Sequence, residues 1–271
     1  MRLLTWNINS VRLRLDLLRQ LLQKTKPDVF CLQETKTQDV FFPVDALVDA
    51  GYPHHHFTGI KGYNGVCIFS KYALEDKNIY RRCGNDDARH ISARVKAPSG
   101  KFELHNIYIP AGGYEPDPVG NDKFRHKLDF VDELTSWFSS ERSAKDAMIA
   151  VGDLNIAPLE NDVWDHKKML DVVSHTPVEI EKFDAFRRSV NWLDAVRHFV
   201  PEDKKLFSWW SYRSPDWDTA DKGRRLDHVW VTQKMKPRLK GQKILREVRG
   251  WDKPSDHVPV IVDFESEGHD D

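Results

Sequence analysis

The sequence predicts an α/β fold of two packed, mixed β-sheets flanked by helices. Three observations lead there. Short apolar, strand-like runs outnumber amphipathic helical stretches along the 271 residues. Hairpins mix with helical connections, an arrangement that packs best as sheet on sheet with helices outside. No internal repeat, low-complexity linker or composition break divides the chain, so residues 1–271 are read as one domain.

Each element has its own signal. Leu3 to Trp6 reads as a short strand running into Asn7-Ile8-Asn9. Ser10 is placed to cap a helix with Leu13, Leu17, Leu18, Leu21 and Leu22 at helical spacing, and Pro27 stops it. Asp28 to Glu34 and Gly65 to Ser70 are further strands. His90 to Val95 and Phe102 to Ile109 form a hairpin around Ala97-Pro-Ser-Gly100. Asp122 to Arg142 is helical, with Phe124, Leu128, Val131, Leu134 and Phe138 on one face. A strand follows over 147–151. Thr176-Pro177 is an N-cap with proline at the first helical position, and that helix turns Ile180, Phe183 and Phe186 inward. Leu226 to Val231 and His257 to Phe264 complete the strands.

Charged residues are 31% of the chain yet sum to −1, which excludes a wholly basic nucleic-acid binder but not a local basic face. Three cysteines offer no disulfide framework and fit a reducing compartment. The N-terminal stretch lacks a secretory apolar core, and no apolar run reaches the ~18 residues of a membrane span. A bacterial-type cytosol is the expected location, without a membrane partner. Most of the nine tryptophans are expected to pack in cores.

Polar residues recur beside the apolar runs. Asn7 follows one strand, Glu34 ends another, and Tyr108 lies near the end of a third. In Val151-Gly-Asp-Leu-Asn155, Asp153 and Asn155 are two apart and share a side if extended. Asp227 opens a strand, and Asp256 and His257 begin the last. Singly, each fits an Asx turn. Together they form a hard-oxygen set with one histidine and no cysteine, which suits Mg²⁺ or Mn²⁺ rather than structural zinc. Three consecutive histidines, His54 to His56, do not make a metal site, because neighbours in an extended chain alternate sides.

These motifs resemble the exonuclease III class of abasic-site endonucleases, within the endonuclease/exonuclease/phosphatase superfamily. The matching stretches are Thr5 to Arg12, Leu32 to Lys36, Asn64 to Val66, Asn106 to Pro110, Gly152 to Ala157, Phe207 to Arg213, Arg225 to Asp227 and Ser255 to His257. The resemblance implies a four-layered α/β sandwich with its site at one end. It implies Mg²⁺-dependent hydrolysis of duplex DNA 5′ to abasic sites, with 3′→5′ exonuclease and 3′-end trimming activity. Mn²⁺ is expected to substitute, and the chain to act as a monomer. The alternative is a superfamily phosphatase acting on a small phosphoester.

Under this reading Glu34 is the leading metal ligand, assisted by the Asn7 carbonyl and by Asp256. Asp153 orients and deprotonates the attacking water, and Asn155 holds that water or a phosphate oxygen. Both, with His257, also count as possible metal-shell members. His257 donates to a phosphoryl oxygen and is oriented by Asp227. Tyr108 contacts the phosphate or the leaving oxygen. Trp209 and Leu226 line a pocket for the extrahelical sugar, and Arg89, Arg213, Lys222, Arg224 and Arg225 contact the DNA backbone. Residues 204–253 hold fourteen Lys and Arg against six acids, as a phosphate-facing surface needs. Two departures stand out. Ala111 occupies a position where relatives often carry an amide, and Tyr114 stands near where some carry a DNA-penetrating arginine, offering a stacking surface instead. The loop Ser214 to Asp221 brings three acids beside the expected DNA.

Overall fold

The structure is a computed structural model that describes residues 1–98 and 100–265. In chain order the strands are β1 (Arg2–Asn7), β2 (Val29–Gln33), β3 (His54–Thr58), β4 (Val66–Ser70), β5 (Leu74–Arg82), β6 (Asn85–Ala97), β7 (Gly100–Ile107), β8 (Met148–Asp153), β9 (Leu193–Asp194), β10 (Asp227–Val231), β11 (Leu239–Ile244) and β12 (Val260–Phe264). The α-helices are α1 (Leu15–Thr25), α2 (Val44–Val48), α3 (Asp122–Glu141), α4 (His166–Met169), α5 (Pro177–Ser189) and α6 (Trp217–Ala220).

The strands form two six-stranded sheets, in the orders β11-β12-β1-β2-β4-β3 and β5-β6-β7-β8-β10-β9. Both are mixed: β1 runs parallel to β2 and β7 to β8, while the other pairs are antiparallel. Alternation along the strands sorts the side chains. Leu3, Val29, Cys31, Leu104, Ile149, Val151, Val229 and Val260 fill the space between the sheets. Their neighbours Leu4, Trp6, Phe30 and Leu32 face outward against Leu18, Leu21 and Leu22 of α1. Met148 and Ala150 face outward against Phe130, Leu134 and Phe138 of α3 and Phe183 and Phe186 of α5. The result is helix, sheet, sheet, helix, the four layers expected.

This alternation also makes the site. Asn7, Gln33, Asn106, Asp153 and Asp227 share the parity of the residues that fill the inter-sheet core. Each stands where its strand ends and the apolar core gives out. The mouth of the sandwich is therefore polar, although its floor is not.

Several local expectations change. The first helix starts at Leu15, and Arg14, its N-cap residue, makes no side-chain cap. Ser10 caps the turn that leads into it, its Oγ accepting from Leu13 N–H at 3.4 Å, while Ser10 N–H donates to Glu34 O at 2.7 Å and Val11 N–H to Thr35 O at 3.1 Å. Asn9 and Ser10 consequently adopt positive φ. Strands β3, β5, β9 and β11 carried no clear apolar pattern. β5 and β11 are mostly exposed or half-exposed and are defined by pairing with β6 and β12. His54 to His56 lie in β3, where His55 stacks on Phe57 and Phe69. Of the expected hairpin turn, Ser99 lies outside the described residues, as do the last six residues with three acids of the tail.

Gly152 is required where β8 passes the end of β7. It has φ +142°, and a Cβ there would overlap the carbonyl oxygen of Ile107. Gly152→Ala should therefore cost about 3 kcal/mol of stability in urea unfolding, as overpacking against backbone does, and a loss below about 1 kcal/mol would show that the strands can separate.

Candidate active site

The polar strand ends meet in a pocket of about 740 Å³. Glu34, Tyr108, Asp153, Asn155 and His257 lie along it with Trp164, Trp209 and Leu226.

Asn7 is fully buried, and its Nδ2 donates to Glu34 Oε1 and to Asp153 Oδ2, both at 2.9 Å. Ionised carboxylates only accept, so the amide orientation follows from its partners. Its carbonyl oxygen accepts from Asn9 N–H at 3.1 Å. Asn7 thus presents its amide nitrogen to the two acids and its carbonyl oxygen to the Asn9 backbone.

Glu34 stands just after β2 at φ +51°. It accepts from Tyr108 OH at 2.8 Å and pairs with Lys36 Nζ at 2.7 Å. Burial would raise its pKa, but Lys36 and the Asn7 hydrogen bond outweigh burial and hold it below the ordinary glutamate value. Tyr108 is buried beside Glu34 and Asp153, so burial and those charges keep its hydroxyl protonated, as a donor.

Asp153 Oδ1 accepts from Asn155 N–H at 3.0 Å, and Oδ2 from Asn155 Nδ2 at 3.2 Å. The strand-end spacing does bring the two residues together, but through a left-handed turn at Asn155 (φ +52°) rather than extended chain. Asn155 Nδ2 also donates to Ile109 O at 2.8 Å. Asp227 pairs with Asp153 in the β8–β10 register. His257 Nδ1 donates to Asp227 Oδ2 at 2.8 Å, and Nε2 lies 3.6 Å from Asp153 Oδ2. Burial would lower the pKa of His257, but Asp227 and Asp153 reverse this and raise it to about 10. Burial pushes Asp153 up to about 7, against the pull of His257.

Asp153, Asp227 and His257 offer three ligand atoms within 4.8 Å of one another, a group that could hold a metal ion. A second cation position lies beside it. The Lys36 ammonium sits 2.7 Å from both Glu34 Oε2 and Asn9 Oδ1. The donors there are carboxylate and carboxamide oxygens, which fit a hard divalent cation.

Other expected residues divide. Trp209 and Leu226 line the pocket, and so do Tyr114, Arg213, Lys222 and Arg224. Arg224 lies over the Trp209 ring at 5.0 Å and donates to Val173 O and Ser174 Oγ. Asp256 also borders the pocket, but its oxygens accept from Asn9 Nδ2 at 3.2 Å and Trp209 Nε1 at 2.9 Å. It is not part of the convergent metal group. Arg89 packs on the Tyr108 ring at 4.7 Å and donates to Asp87 at 2.6 Å, so it braces Tyr108 from behind.

Arg225 is a correction. It is 1% exposed and paired with Asp162 and Asp194, so it cannot reach DNA. The acidic loop is also corrected in part: Asp218 and Asp221 are neutralised by Arg246.

Four supporting residues were missed. Asn9 follows Asn7 by two, the same spacing that marked Asp153 and Asn155. Ser208 Oγ donates to Asp227 Oδ2 at 2.7 Å. Lys127 sits among the apolar positions of α3, a visible anomaly, and pairs with buried Glu179. Glu179 completes the capping box begun by Thr176.

A mixed-sheet sandwich with a buried Asp-His-Asp chain and an acidic mouth defines a phosphoester-hydrolase class of site. The chain belongs to the Endonuclease/Exonuclease/phosphatase family, whose profile matches residues 4–257. It is 30% identical over 274 residues to exodeoxyribonuclease III of Haemophilus influenzae, covering 97% of this chain and all of that one. An AP endonuclease from Archaeoglobus fulgidus superposes with a TM-score of 0.90 at 27% identity, over 98% of this chain and 99% of that one. The 3′ phosphatase NExo from Neisseria, bound to product DNA hairpin, superposes with a TM-score of 0.88 at 29% identity, over 98% and 99% of the two chains. Among the described residues, no helix is long and apolar enough to cross a membrane.

Arg225→Met would leave Asp194 without its buried guanidinium partner and Asp162 with Arg197 alone. It should cost about 3–5 kcal/mol in urea unfolding, the usual result of breaking a buried ion pair. A weaker DNA affinity with unchanged stability would contradict the structural role.

Proposed function

We propose that the protein is a metal-dependent DNA repair nuclease that hydrolyses the backbone 5′ to abasic sites in duplex DNA. Exonuclease action and trimming at 3′ ends belong to the same reading. The observation that carries it is the Asp227–His257–Asp153 chain, set in a pocket walled by Trp164, Trp209 and Leu226 and rimmed by Arg213, Lys222 and Arg224. A small-phosphoester hydrolase has no use for that aromatic and basic wall.

The roles follow from the donors and acceptors. His257 is protonated at neutral pH and donates from Nε2 to a non-bridging phosphoryl oxygen. Asp227 holds it by Nδ1 and favours the charged form. Asp153 orients the attacking water and takes its proton; burial leaves it basic enough to do so. Asn155 Nδ2 is engaged by Asp153 and Ile109, so its Oδ1 is the group that fixes the water. Tyr108 donates toward the phosphate or the leaving oxygen. Glu34 would hold Mg²⁺, or Mn²⁺ in its place, with Asn9 as a neighbouring oxygen donor. The ion would supply Lewis-acid stabilisation of phosphoryl charge. Trp209 and Leu226 would receive the extrahelical sugar in an apolar recess that a base-bearing nucleotide fits poorly. The chain is proposed to act as a monomer and as one catalytic domain.

The deciding assay uses duplex DNA with one abasic-site analogue, with Mg²⁺ and with chelator. A metal-dependent nick 5′ to the site is expected. Hydrolysis of inositol phosphates with no DNA cleavage would overturn the reading. In the same assay Asp153→Asn should lower the rate about 10²–10⁴-fold, the usual worth of a general base, and retention of more than about a tenth would remove that role. The nicking rate should also fall on the alkaline side as His257 loses its proton near pH 10. Asp227→Asn removes the leading charge that raises His257, so this limb should move to lower pH; an unmoved limb would assign it to another group.

A further inference from the structure

Behind the pocket lies a buried charge pair with an unusual set of partners. Lys127, in the second turn of α3, and Glu179, in the first turn of α5, are both fully buried, with Nζ 2.5 Å from Oε1. An ammonium has three protons. The other two acceptors of Lys127 are backbone carbonyls: Asn155 O at 2.7 Å and Ala111 O at 3.4 Å. Glu179 in turn accepts from Ser174 N–H at 3.0 and 2.9 Å, from Thr176 N–H at 3.1 Å and from Thr176 Oγ1 at 2.8 Å.

These partners belong to three segments that border the pocket. The first follows Tyr108, the second is the turn carrying Asp153 and Asn155, and the third leads from Val172 to Thr176. The first is fitted closely around the lysine: Gly112 has φ +88°, and a Cβ there would lie 2.9 Å from Lys127 Cδ. The second turns through a left-handed Asn155, a conformation asparagine adopts more readily than other L residues, held here by bonds from outside the turn. Its carbonyl points away from the pocket, onto Lys127. The third is joined through Ser174 Oγ to Arg224.

Stability alone does not explain the pair. A buried ion pair can usually be replaced by apolar groups without loss, because desolvation offsets the attraction. What apolar groups cannot do is orient four backbone carbonyl and amide partners, from three segments, at once. We infer that Lys127, braced by Glu179, is a positioning residue: it holds the Asn155 carbonyl from behind, so that Asn155 and Asp153 meet the substrate in reacting orientation. This rests on the hydrolytic roles proposed for those two residues.

The test is a mutant cycle in the full chain. Lys127→Met/Glu179→Gln removes both charges together, leaving no lone buried charge. It is compared with Asn155→Ala and with the triple variant, by single-turnover nicking of abasic duplex at saturating Mg²⁺. DNA affinity in chelator and Tm are measured alongside. The double variant should be slower by about 10–100-fold, the scale of a small misplacement of reacting groups. Its affinity for DNA should stay within about threefold of wild type, and the triple variant should be slower than Asn155→Ala by a smaller factor than the double variant is slower than wild type, because the lysine acts in part through the Asn155 side chain. Multiplicative losses, or a folded double variant at wild-type rate, would overturn the inference. Should the double variant not fold, Glu179→Gln takes its place, with a loss of about threefold and the same non-additivity expected. A wild-type protein that cleaves no abasic DNA would count against the proposed function instead. The cycle is then run on whichever phosphoester the wild type hydrolyses.

Discussion

One buried carboxamide joins the two sheets at the place where the chemistry sits. Asn7 ends β1 of the first sheet and gives one proton to Glu34, just past β2 of that sheet, and the other to Asp153 of the second. Two carboxylates drawn this close would repel, and a donor between them removes the conflict without adding charge. A second amide contact lies deeper: Gln33 Nε2 donates to Asn106 Oδ1 at 2.7 Å, and Asn106 Nδ2 donates to the carbonyls of Leu32 and Cys67. The sheets are thus held in register by directional bonds at one end and by apolar packing elsewhere. A slip of one residue in any of the strands would turn its polar end away from the mouth.

The backbone around this mouth is not relaxed. Asn9, Ser10, Glu34, Lys36 and Asn155 all have positive φ. Non-glycine residues accept such geometry only where surrounding bonds over-determine it. Here those bonds are identifiable: Ser10 and Val11 onto the backbone of Glu34 and Thr35, Asn155 N–H onto Asp153, Lys127 Nζ onto Asn155 O, and Ser255 Oγ onto Asn7 O at 2.7 Å. Each reacting side chain is held by at least one partner that lies outside its own strand, which keeps the donors and acceptors aligned before substrate arrives.

Positive charge is divided between two duties. Arg225 is buried on Asp162 and Asp194, Arg246 binds Asp218 and Asp221, and Arg249 packs over Trp217 and Tyr212. These fix the loops that wall the pocket. Arg213, Lys222 and Arg224 line the pocket itself. The excess of basic residues between 204 and 253 therefore overstates the charge offered to a polyanion, since part of it is neutralised within the fold.

Much of this protein was legible in its sequence. Short apolar runs located β1, β2, β4, β6, β7, β8, β10 and β12, and the capping signals located α5, because burial and helix-end chemistry act over a few adjacent residues. Polar residues at strand ends marked Asn7, Glu34, Tyr108, Asp153, Asn155, Asp227 and His257 for the same reason. Edge strands such as β5 and β11 were not legible, since their partners, not their composition, make them strands. Nor could spacing tell Arg224 from Arg225, which stand side by side and face a pocket wall and a buried acid pair. Lys127 and Glu179 lie 52 positions apart and meet only because α3 and α5 pack on one sheet. Sequence by itself determined which residues could do chemistry, because side-chain type and strand parity are local properties. Tertiary structure alone decided which of them meet and which charges are already partnered, because those depend on distances between segments remote along the chain.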